Sequence, residues 1–407
     1  MAEMTLEEKF MKQQEELNAR LDSLSDDNLP TANIIVAGIT GTGKSTLINA
    51  VFGTELARTG SGRPVTEHID EYQNEEIPVH IWDTVGLELN SETTKKSIQS
   101  IKDTIANKTS TDDQFDRVHA IWYCIASGSN RYQGAELEFI KELHSIDVPF
   151  IIVLTQCYGA KKKIGEFEEQ IKEINAQEGM SDISILKVLA QDFDVEIDED
   201  NVVHKPAFGL DELVDETLKQ LPQFIKNGFV AAQRVSKDQK RVLCEDIIYE
   251  YARAAENGFW DKFPLVNIFM TDNKIIKMFE RIGRMYNTVL SEESVNKIIK
   301  NSGVDFKNNF WGLVAPFDLV GYNDKINSLL KGKKGAGFNV KVEDIPKNNR
   351  AARMIAFYGY TFIDSIEELW KKLTEKQLEN VDMVVDNLIS IINRKLAERK
   401  AGRKRGE

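Results

Sequence analysis

A short loop near the N-terminus constrains the fold more than any other feature of this 407-residue chain. Residues 38–45 read GITGTGKS; they follow the apolar run 33–37 (NIIVA) and precede residues 46–52 (TLINAVF), which have a helical pattern. Glycines at this spacing let backbone N–H groups turn toward a phosphate, and the N-terminus of the next helix adds its dipole. The strand–loop–helix order therefore predicts a phosphate-binding loop.

The side chains of this loop have roles that phosphate chemistry predicts. Lys44 is expected to reach the β- and γ-phosphates as a point charge, and Ser45 to ligate Mg²⁺ through its hydroxyl group. The residues predicted to bind the nucleotide here are Gly38, Thr40, Gly41, Thr42, Gly43, Lys44, Ser45 and Thr46.

Two further segments contain side chains suited to the same phosphate. Asp83 and Gly86 belong to the DTVG sequence that follows the apolar run 77–82, and Thr66 ends the GRPVT sequence between this run and the loop. An aspartate at the carboxyl end of a strand can hold Mg²⁺ through water, and Gly86 can present its backbone N–H to a γ-phosphate. Thr66 can close on both the Mg²⁺ ion and the γ-phosphate. We therefore expect Lys44, Thr66 and Gly86 to be catalytic, and Ser45, Thr66 and Asp83 to hold the metal.

The first half of the chain alternates apolar runs with helical segments. Such a pattern predicts a parallel sheet that is buried on both faces, with phosphate chemistry at the carboxyl ends of its strands. The predicted strands are Asn33–Ala37, Val79–Trp82, Ala120–Ile125, Phe150–Thr155 and Ile185–Leu189. The predicted helices between them are Ser97–Ile105, Gly134–Leu143, Lys163–Gln177 and Leu210–Lys219.

The pattern changes after about residue 225, where long stretches of helical period replace the apolar runs. Examples are Val242–Ala255 and Ile275–Val289. The fold class predicted is α/β: a P-loop NTPase domain with a mostly parallel sheet, followed by an all-α domain. The expected domains are an N-terminal amphipathic helix at 1–30, the nucleotide domain at 31–225, and a helical domain with a basic tail at 226–407.

Charge and cysteine content exclude several classes of protein. The net charge of −13 argues against a nucleic-acid partner, because phosphate neutralisation needs a basic surface. Three widely spaced cysteines indicate a reducing, cytoplasmic compartment rather than a disulfide framework. The apolar run 310–317 (FWGLVAPF) and the basic tail 394–405 leave peripheral membrane attachment open, although a buried segment and a disordered helix end are the favoured explanations.

The three motifs together resemble the GTPases of the translation-factor class, specifically the Era/TrmE-like small GTPases. The resemblance covers most of residues 31–300 and extends to the sequences RPVT at 63–66, DTVGLE at 83–88, IWYCI at 121–125, VLTQ at 153–156 and FGLDEL at 208–213. It implies GTP or GDP as ligand, Mg²⁺ as cofactor, hydrolysis of GTP, and a helical C-terminal domain that is sometimes membrane-linked. Immunity-related and dynamin-like GTPases share the TGxGKS loop and are the neighbouring resemblance.

Two positions depart from other GTPases in ways that concern catalysis. Leu87 stands where Ras-like enzymes have a water-positioning glutamine, and a leucine cannot orient water. Hydrolysis therefore needs another group, a partner or a dimer. The resembled family also has an apolar residue there, so this position departs from Ras but not from that family. Gly41 stands where potassium-activated relatives have asparagine, so potassium activation is not implied.

The base-reading motif of the family, Asn/Thr-Lys-x-Asp, is altered to TQCY at residues 155–158. The resemblance places Thr155 and Gln156 at the base and the backbone N–H of Ala190 at its O6 atom. Tyr158 can stack on a base, but it supplies no carboxylate to the N1–H and N2–H₂ donors of guanine. Asp192 is a candidate for the missing acid, with an ordinary surface acid as the favoured alternative. A weaker guanine preference follows, and an ATPase stays open.

Three hypotheses of function follow from these motifs. The leading one is a Mg²⁺-dependent GTPase that acts as a slow conformational switch through its helical domain, with a homodimer through the nucleotide domain as one route to hydrolysis. The second is a nucleotide-gated scaffold with little hydrolysis, motivated by Leu87 and the altered base motif. The third is a membrane-remodelling GTPase, in which the helical domain contacts a membrane or a protein partner.

Overall fold

The computed structural model divides the chain into two compact units on either side of Ser236. The predicted N-terminal helix, most of the predicted helix Ser97–Ile105, the apolar run 310–317 and the end of the basic tail lie outside the described residues. The structure describes residues 29–53, 63–66, 69–74, 77–84, 99, 102–103, 117–129, 132, 134–146, 148–198, 201–222, 225–256, 264–302, 322–330, 350–378 and 380–403.

A seven-stranded sheet organises the first unit, in the order β2-β3-β4-β1-β5-β6-β7. Strands β4, β1, β5, β6 and β7 are parallel neighbours, whereas β2 and β3 pair antiparallel at one side. The predicted α/β fold with a mostly parallel sheet is confirmed. The strands are β1 Ala32–Gly38, β2 Arg63–Thr66, β3 Ile69–Asn74, β4 Ile77–Thr84, β5 Ala120–Ala126, β6 Phe150–Thr155 and β7 Ser184–Lys187.

The strands that the sequence missed are the polar ones. β3 has the sequence IDEYQN, and β2 has RPVT with a proline on the outermost strand, where a missing N–H breaks no pairing. The predicted strand Ile185–Leu189 was placed too far along the chain. β7 ends at Lys187, and Leu189 forms an isolated antiparallel bridge with Phe208 instead.

Helices cover both faces of this sheet and bury its apolar side chains. Ile35, Ile121 and Ile152 belong to one core cluster and Ile34, Trp122 and Val153 to the other. Alternate residues of each strand therefore face opposite cores, which explains the continuous apolar runs. The helices of this unit are α1 Lys44–Phe52, α2 Ala135–His144, α3 Lys161–Gln177, α4 Leu210–Gln220 and α5 Lys226–Ala232.

Helix α5 lies with the sheet, although the sequence placed the domain boundary before it, at residue 225. The ring of Phe229 packs edge-on against Phe52 and Trp122, with ring centroids 6.0 and 6.5 Å apart. Because this helix completes the core of the first unit, the division falls after it, at Ser236.

The second unit consists of helices throughout its described residues. The predicted helix Ile275–Val289 starts earlier and ends at Met285, where Asn287 takes a left-handed conformation with φ of 49° and closes the last turn. None of the described helices is both long enough and apolar enough to cross a membrane. The helices are α6 Lys237–Glu256, α7 Pro264–Met285, α8 Glu292–Asn301, α9 Asn323–Leu330, α10 Arg350–Lys372, α11 Glu375–Leu378 and α12 Val381–Arg403.

Candidate nucleotide site

The loop between β1 and α1 has a backbone that only glycine adopts easily. Gly38, Gly41 and Gly43 have φ values of 147°, 82° and 83°. A Cβ atom on Gly38 would lie 2.4 Å from the carbonyl oxygen of Cys124 in the neighbouring strand β5. The loop therefore depends on these glycines for its conformation and for its close approach to the sheet.

Lys44 is held over this loop by the loop's own carbonyl groups. Its Nζ atom donates to the carbonyl oxygens of Gly38 and Ile39 at 3.1 and 3.4 Å, and its side chain is only 8% exposed. The hydroxyl group of Thr42 donates to the same Ile39 carbonyl at 2.8 Å. An ammonium group fixed over a glycine-rich loop at a helix N-terminus is suited to a polyphosphate.

Ser45 and Asp83, which the sequence predicted as metal ligands, lie together. Asp83 is buried near the carboxyl end of β4, level with Val36 of β1, and its Oδ2 accepts a hydrogen bond from the Ser45 hydroxyl group at 3.5 Å. Mg²⁺ prefers oxygen ligands, and a hydroxyl group beside a carboxylate supplies them. Thr66 ends β2, but its side chain and Gly86 lie outside the description, so their roles stay predictions.

The predicted base-binding segment is joined to the phosphate loop by hydrogen bonds. The hydroxyl group of Thr155, at the end of β6, donates to the carbonyl oxygen of Thr42 and to that of Ile125 at 3.2 Å. Gln156 has a left-handed φ of 54°, and its Nε2 donates to the carbonyl oxygen of Gly41 at 2.7 Å. Gln156 thus lies against the phosphate loop through its amide group.

A pocket of about 270 Å³ opens beside these residues. The predicted residues Gly43, Thr46, Thr155, Gln156 and Ala190 line it, which brings the end of the phosphate loop and the base-binding segments to one cavity. Residues beyond the predicted set complete the lining: Tyr158, Leu189, Gln191 and Phe193.

Phe193 reaches the pocket from a hairpin that the sequence analysis missed. β8 Phe193–Asp198 and β9 Asn201–Lys205 pair antiparallel outside the main sheet. The ring of Phe193 stacks on Tyr158, with centroids 4.4 Å apart and planes at 19°. Alternation of apolar and acidic residues in FDVEID was the available signal for a strand.

Asp192, the candidate for the missing acid, does not line the pocket. Its Oδ1 accepts from the backbone N–H of Ala207 at 2.8 Å, and its Oδ2 lies 3.5 Å from His204 Nε2. Asp192 therefore ties the two ends of the hairpin together, which agrees with its interpretation as a surface acid.

Two buried titratable groups, which do not line the pocket, lie on β5 and α2. Burial raises the pKa of the Cys124 thiol to about 12, so this cysteine is no nucleophile at neutral pH. Glu136, in the first turn of α2, is 3% exposed and accepts a hydrogen bond from the Tyr123 hydroxyl group at 3.2 Å. Burial raises the pKa of Glu136 to about 7.

Comparison with known proteins finds one family model that matches part of the first unit. Residues 33–185 match the model of the 50S ribosome-binding GTPase family. No curated protein matches the chain. The match agrees with the predicted P-loop GTP hydrolase domain and with its expected ligands, GTP or GDP and Mg²⁺. The narrower Era/TrmE-like assignment stays a prediction. Ala190 and the hairpin lie beyond the matched residues.

Solved structures resemble the chain only distantly. A structure described as a probable GTP-binding protein EngB is 18% identical, with a TM-score of 0.29, over 39% of this chain and 89% of its own. A bacterial selenocysteine-specific elongation factor is 21% identical, with a TM-score of 0.27, over 39% of this chain and 26% of its own. Era from Aquifex aeolicus, bound to GDP and aluminium fluoride, is 18% identical, with a TM-score of 0.31, over 56% of this chain and 69% of its own.

Proposed function

We propose that this protein is a Mg²⁺-dependent GTPase that acts as a slow conformational switch through its helical domain. The observation that carries the proposal is the meeting of Lys44, Ser45 and Asp83 at the carboxyl ends of β1 and β4. Leu87, where a water-positioning glutamine is absent, is the reason to expect slow turnover.

The chemistry assigned to the chain's own residues is positioning and charge neutralisation. Lys44 and the N–H groups of the loop hold the β- and γ-phosphates, and Ser45 and Asp83 hold Mg²⁺. Thr66 and the backbone N–H of Gly86 are proposed to close on the γ-phosphate. Their release after hydrolysis is the change that the switch transmits.

A contact at the end of α1 supports transmission toward the second unit. The backbone N–H of Arg234 donates to the Val51 carbonyl oxygen at 2.7 Å. The Arg234 guanidinium packs so closely on Gly53 that a Cβ atom there would lie 2.7 Å from its Cζ atom. The buried side chain of Gln233 accepts hydrogen bonds from the N–H groups of Val235 and Ser236. The phosphate-loop helix is thus connected to the last residues before the helical unit.

The partner and location of this switch are part of the proposal. Three buried, unpaired thiols support a reducing, cytoplasmic compartment. The first cations of the basic tail, Arg394 and Lys395, form ion pairs with Glu368 of α10. These pairs leave less positive charge for an anionic membrane, so we favour a protein partner for the helical domain over a membrane.

The site assignment is tested by calorimetric titration with GDP. Lys44→Ala removes the cation held inside the loop, and we expect affinity for GDP to fall at least 100-fold while the melting temperature of the free protein stays within a few degrees. Lys162→Ala is the matched control, because that side chain is 87% exposed on α3. Unchanged affinity in Lys44→Ala would remove the assignment.

Phosphate release at increasing protein concentration separates the switch from a scaffold. A rate per molecule that rises with concentration supports hydrolysis completed by a homodimer, and a slow constant rate supports hydrolysis within one chain. No release at any concentration, with GTP still bound, would replace the proposed switch by a nucleotide-gated scaffold.

A further inference from the structure

The base end of the pocket is short of acidic groups. None of the nine described residues that line the pocket carries a carboxylate. The 2-amino group of guanine is a hydrogen-bond donor, and a carboxylate is the strongest acceptor that a side chain can offer it. If the first unit binds a guanine nucleotide as proposed above, this pocket holds the base by other means.

The most prominent feature of the lining is its stacked aromatic pair. Tyr158 and Phe193 are each 38% exposed, although large rings are usually buried. Base–aromatic stacking is favourable for every base, because each base has a π-face. Two partly exposed rings at the edge of a pocket of this size are suited to a purine.

The hairpin that carries Phe193 is fastened to the base-binding segment. The Nζ atom of Lys205, on β9, donates to the carbonyl oxygens of Tyr158 and, at 3.1 Å, Gly159. Register pairs Lys205 with Phe193 across the hairpin. The ring of Phe193 is therefore positioned by both strands, so the hairpin acts as a fixed wall of the pocket.

We propose that the β8–β9 hairpin is a nucleotide-binding element, in which the stacked pair of Phe193 and Tyr158 offers an outer ring face to the purine base in place of the missing carboxylate. The proposal rests on the proposed function, since it concerns the same nucleotide. It assigns Phe193 and Tyr158 as determinants of base affinity, and it predicts that the 2-position of the purine contributes little.

The polar groups of the pocket predict which purines it binds. The backbone N–H of Ala190 is a donor, which suits the 6-oxo group of guanine or hypoxanthine and opposes the 6-amino group of adenine. Gln191 lines the pocket with a neutral amide, a weaker acceptor than a carboxylate for the 2-amino group. The chain should therefore bind GDP and IDP similarly and ADP poorly.

Competition of GDP, IDP and ADP against a fluorescent guanine nucleotide tests this selectivity. IDP differs from GDP only in lacking the 2-amino group. We expect the two dissociation constants to agree within about threefold and that of ADP to be at least tenfold weaker. Binding of GDP tenfold or more tighter than IDP would overturn the proposal.

Substitutions at the two rings test the stacking. Phe193→Leu keeps an apolar side chain but removes the ring, and we expect about a tenfold loss of GDP affinity, as for removal of a base-stacking ring elsewhere. Val203→Ala is the matched control, because Val203 lies on β9 of the same hairpin, is 42% exposed and does not line the pocket. Equal affinity in wild type and Phe193→Leu would overturn the proposal.

Tyr158→Asp supplies the missing carboxylate and gives a readout independent of overall affinity. We expect the ratio of IDP to GDP dissociation constants to rise at least fivefold, even if removal of the ring weakens both. An unchanged ratio would show that this position does not face the base. Failure of the wild-type protein to bind any of the nucleotides would contradict the proposed function itself. Binding of GDP tenfold or more tighter than IDP, as a carboxylate in the pocket would give, would contradict only the role of the hairpin.

Discussion

The two ends of the nucleotide pocket are built in different ways. At the proposed phosphate end, one continuous segment from Gly38 to Ser45 supplies the loop, its cation and a proposed metal ligand, and Asp83 joins from the neighbouring strand of the sheet. At the base end, Gln156, Ala190 and Phe193 come from three separate stretches of the chain. The phosphate end is therefore a local structure, and the base end is assembled by the fold.

This difference shows which part of the site is free to vary. The loop's conformation depends on positive φ angles and on the close approach of the Cys124 carbonyl oxygen, which would lie 2.4 Å from a Cβ atom on Gly38. The base end depends on ring packing and on hydrogen bonds that several side chains can make, such as the one from Gln156 to Gly41. We infer that the phosphate end is intolerant of substitution and that the base end is tolerant.

The largest effect is expected from Gly38→Ala. The added methyl group meets the Cys124 carbonyl oxygen and the residue keeps an unfavourable φ of 147°, so we expect the free energy of unfolding of this unit to fall by about 3 kcal/mol and GDP affinity to be lost. Urea unfolding and calorimetry measure the two effects.

Gly165→Ala is the matched control for this substitution. Gly165 lies inside α3 and nothing lies within 4 Å of the position of a Cβ atom, so alanine should stabilise the helix by about 0.5–1 kcal/mol. If both variants behaved alike, the phosphate loop would not be under the steric constraint that distinguishes it from the base end.

A substitution at Glu136, which is buried and does not line the pocket, separates effects on folding from effects on binding. Because the pKa of Glu136 is raised to about 7 by burial, the folded state favours its neutral form, and this contribution to stability is lost as pH rises through 7. Glu136→Gln keeps the side chain neutral. We expect the variant to be more stable than wild type by about 2 kcal/mol at pH 8, with little difference at pH 4.5.

Thermal unfolding at the two pH values measures this prediction, and the affinity ratio of GDP to IDP is the control, since Glu136 does not line the pocket. A stability difference that did not grow with pH would show that Glu136 is ionised in the folded protein.

The smallest effect is expected from Gln156, whose amide group links the two ends. Gln156→Ala removes one neutral hydrogen bond to Gly41, so GDP affinity should fall no more than about fivefold. Gln156→Lys keeps a donor and should bind like wild type. Gln220→Ala on the surface of α4 is the control. A loss as large as that in Lys44→Ala would mean that the base end is as intolerant as the phosphate end.

The fold was predictable wherever burial leaves a periodic pattern. The predicted inner strands of the parallel sheet exist because strands buried on both faces are continuously apolar, as Phe150–Thr155 is, whereas β7 is a half-buried edge strand whose bounds were predicted wrongly. The strands β2 and β3 were missed because their residues are largely polar. The predicted boundary at residue 225 differs from the observed division after Ser236, because α5 follows a loop yet joins the core through Phe229.

The site was predictable at one end for a similar reason. Residues adjacent in sequence form the predicted phosphate loop, so spacing alone proposed Lys44 and Ser45, a strand end proposed Asp83, and the structure brings the three together. Phe193 was missed because its role depends on a hairpin that folds back onto Tyr158. Such a contact between separate segments leaves no trace in the spacing of residues.

The central claim is that this chain binds guanine nucleotides through a GTPase site despite its altered base motif. Titration of the purified protein with GTP, GDP and ATP, each with Mg²⁺, tests it most directly. We predict tight binding of GTP and GDP and at least tenfold weaker binding of ATP, because the Ala190 N–H favours a 6-oxo purine. Equal affinity for GTP and ATP would contradict it, since the phosphate loop alone would then carry the binding.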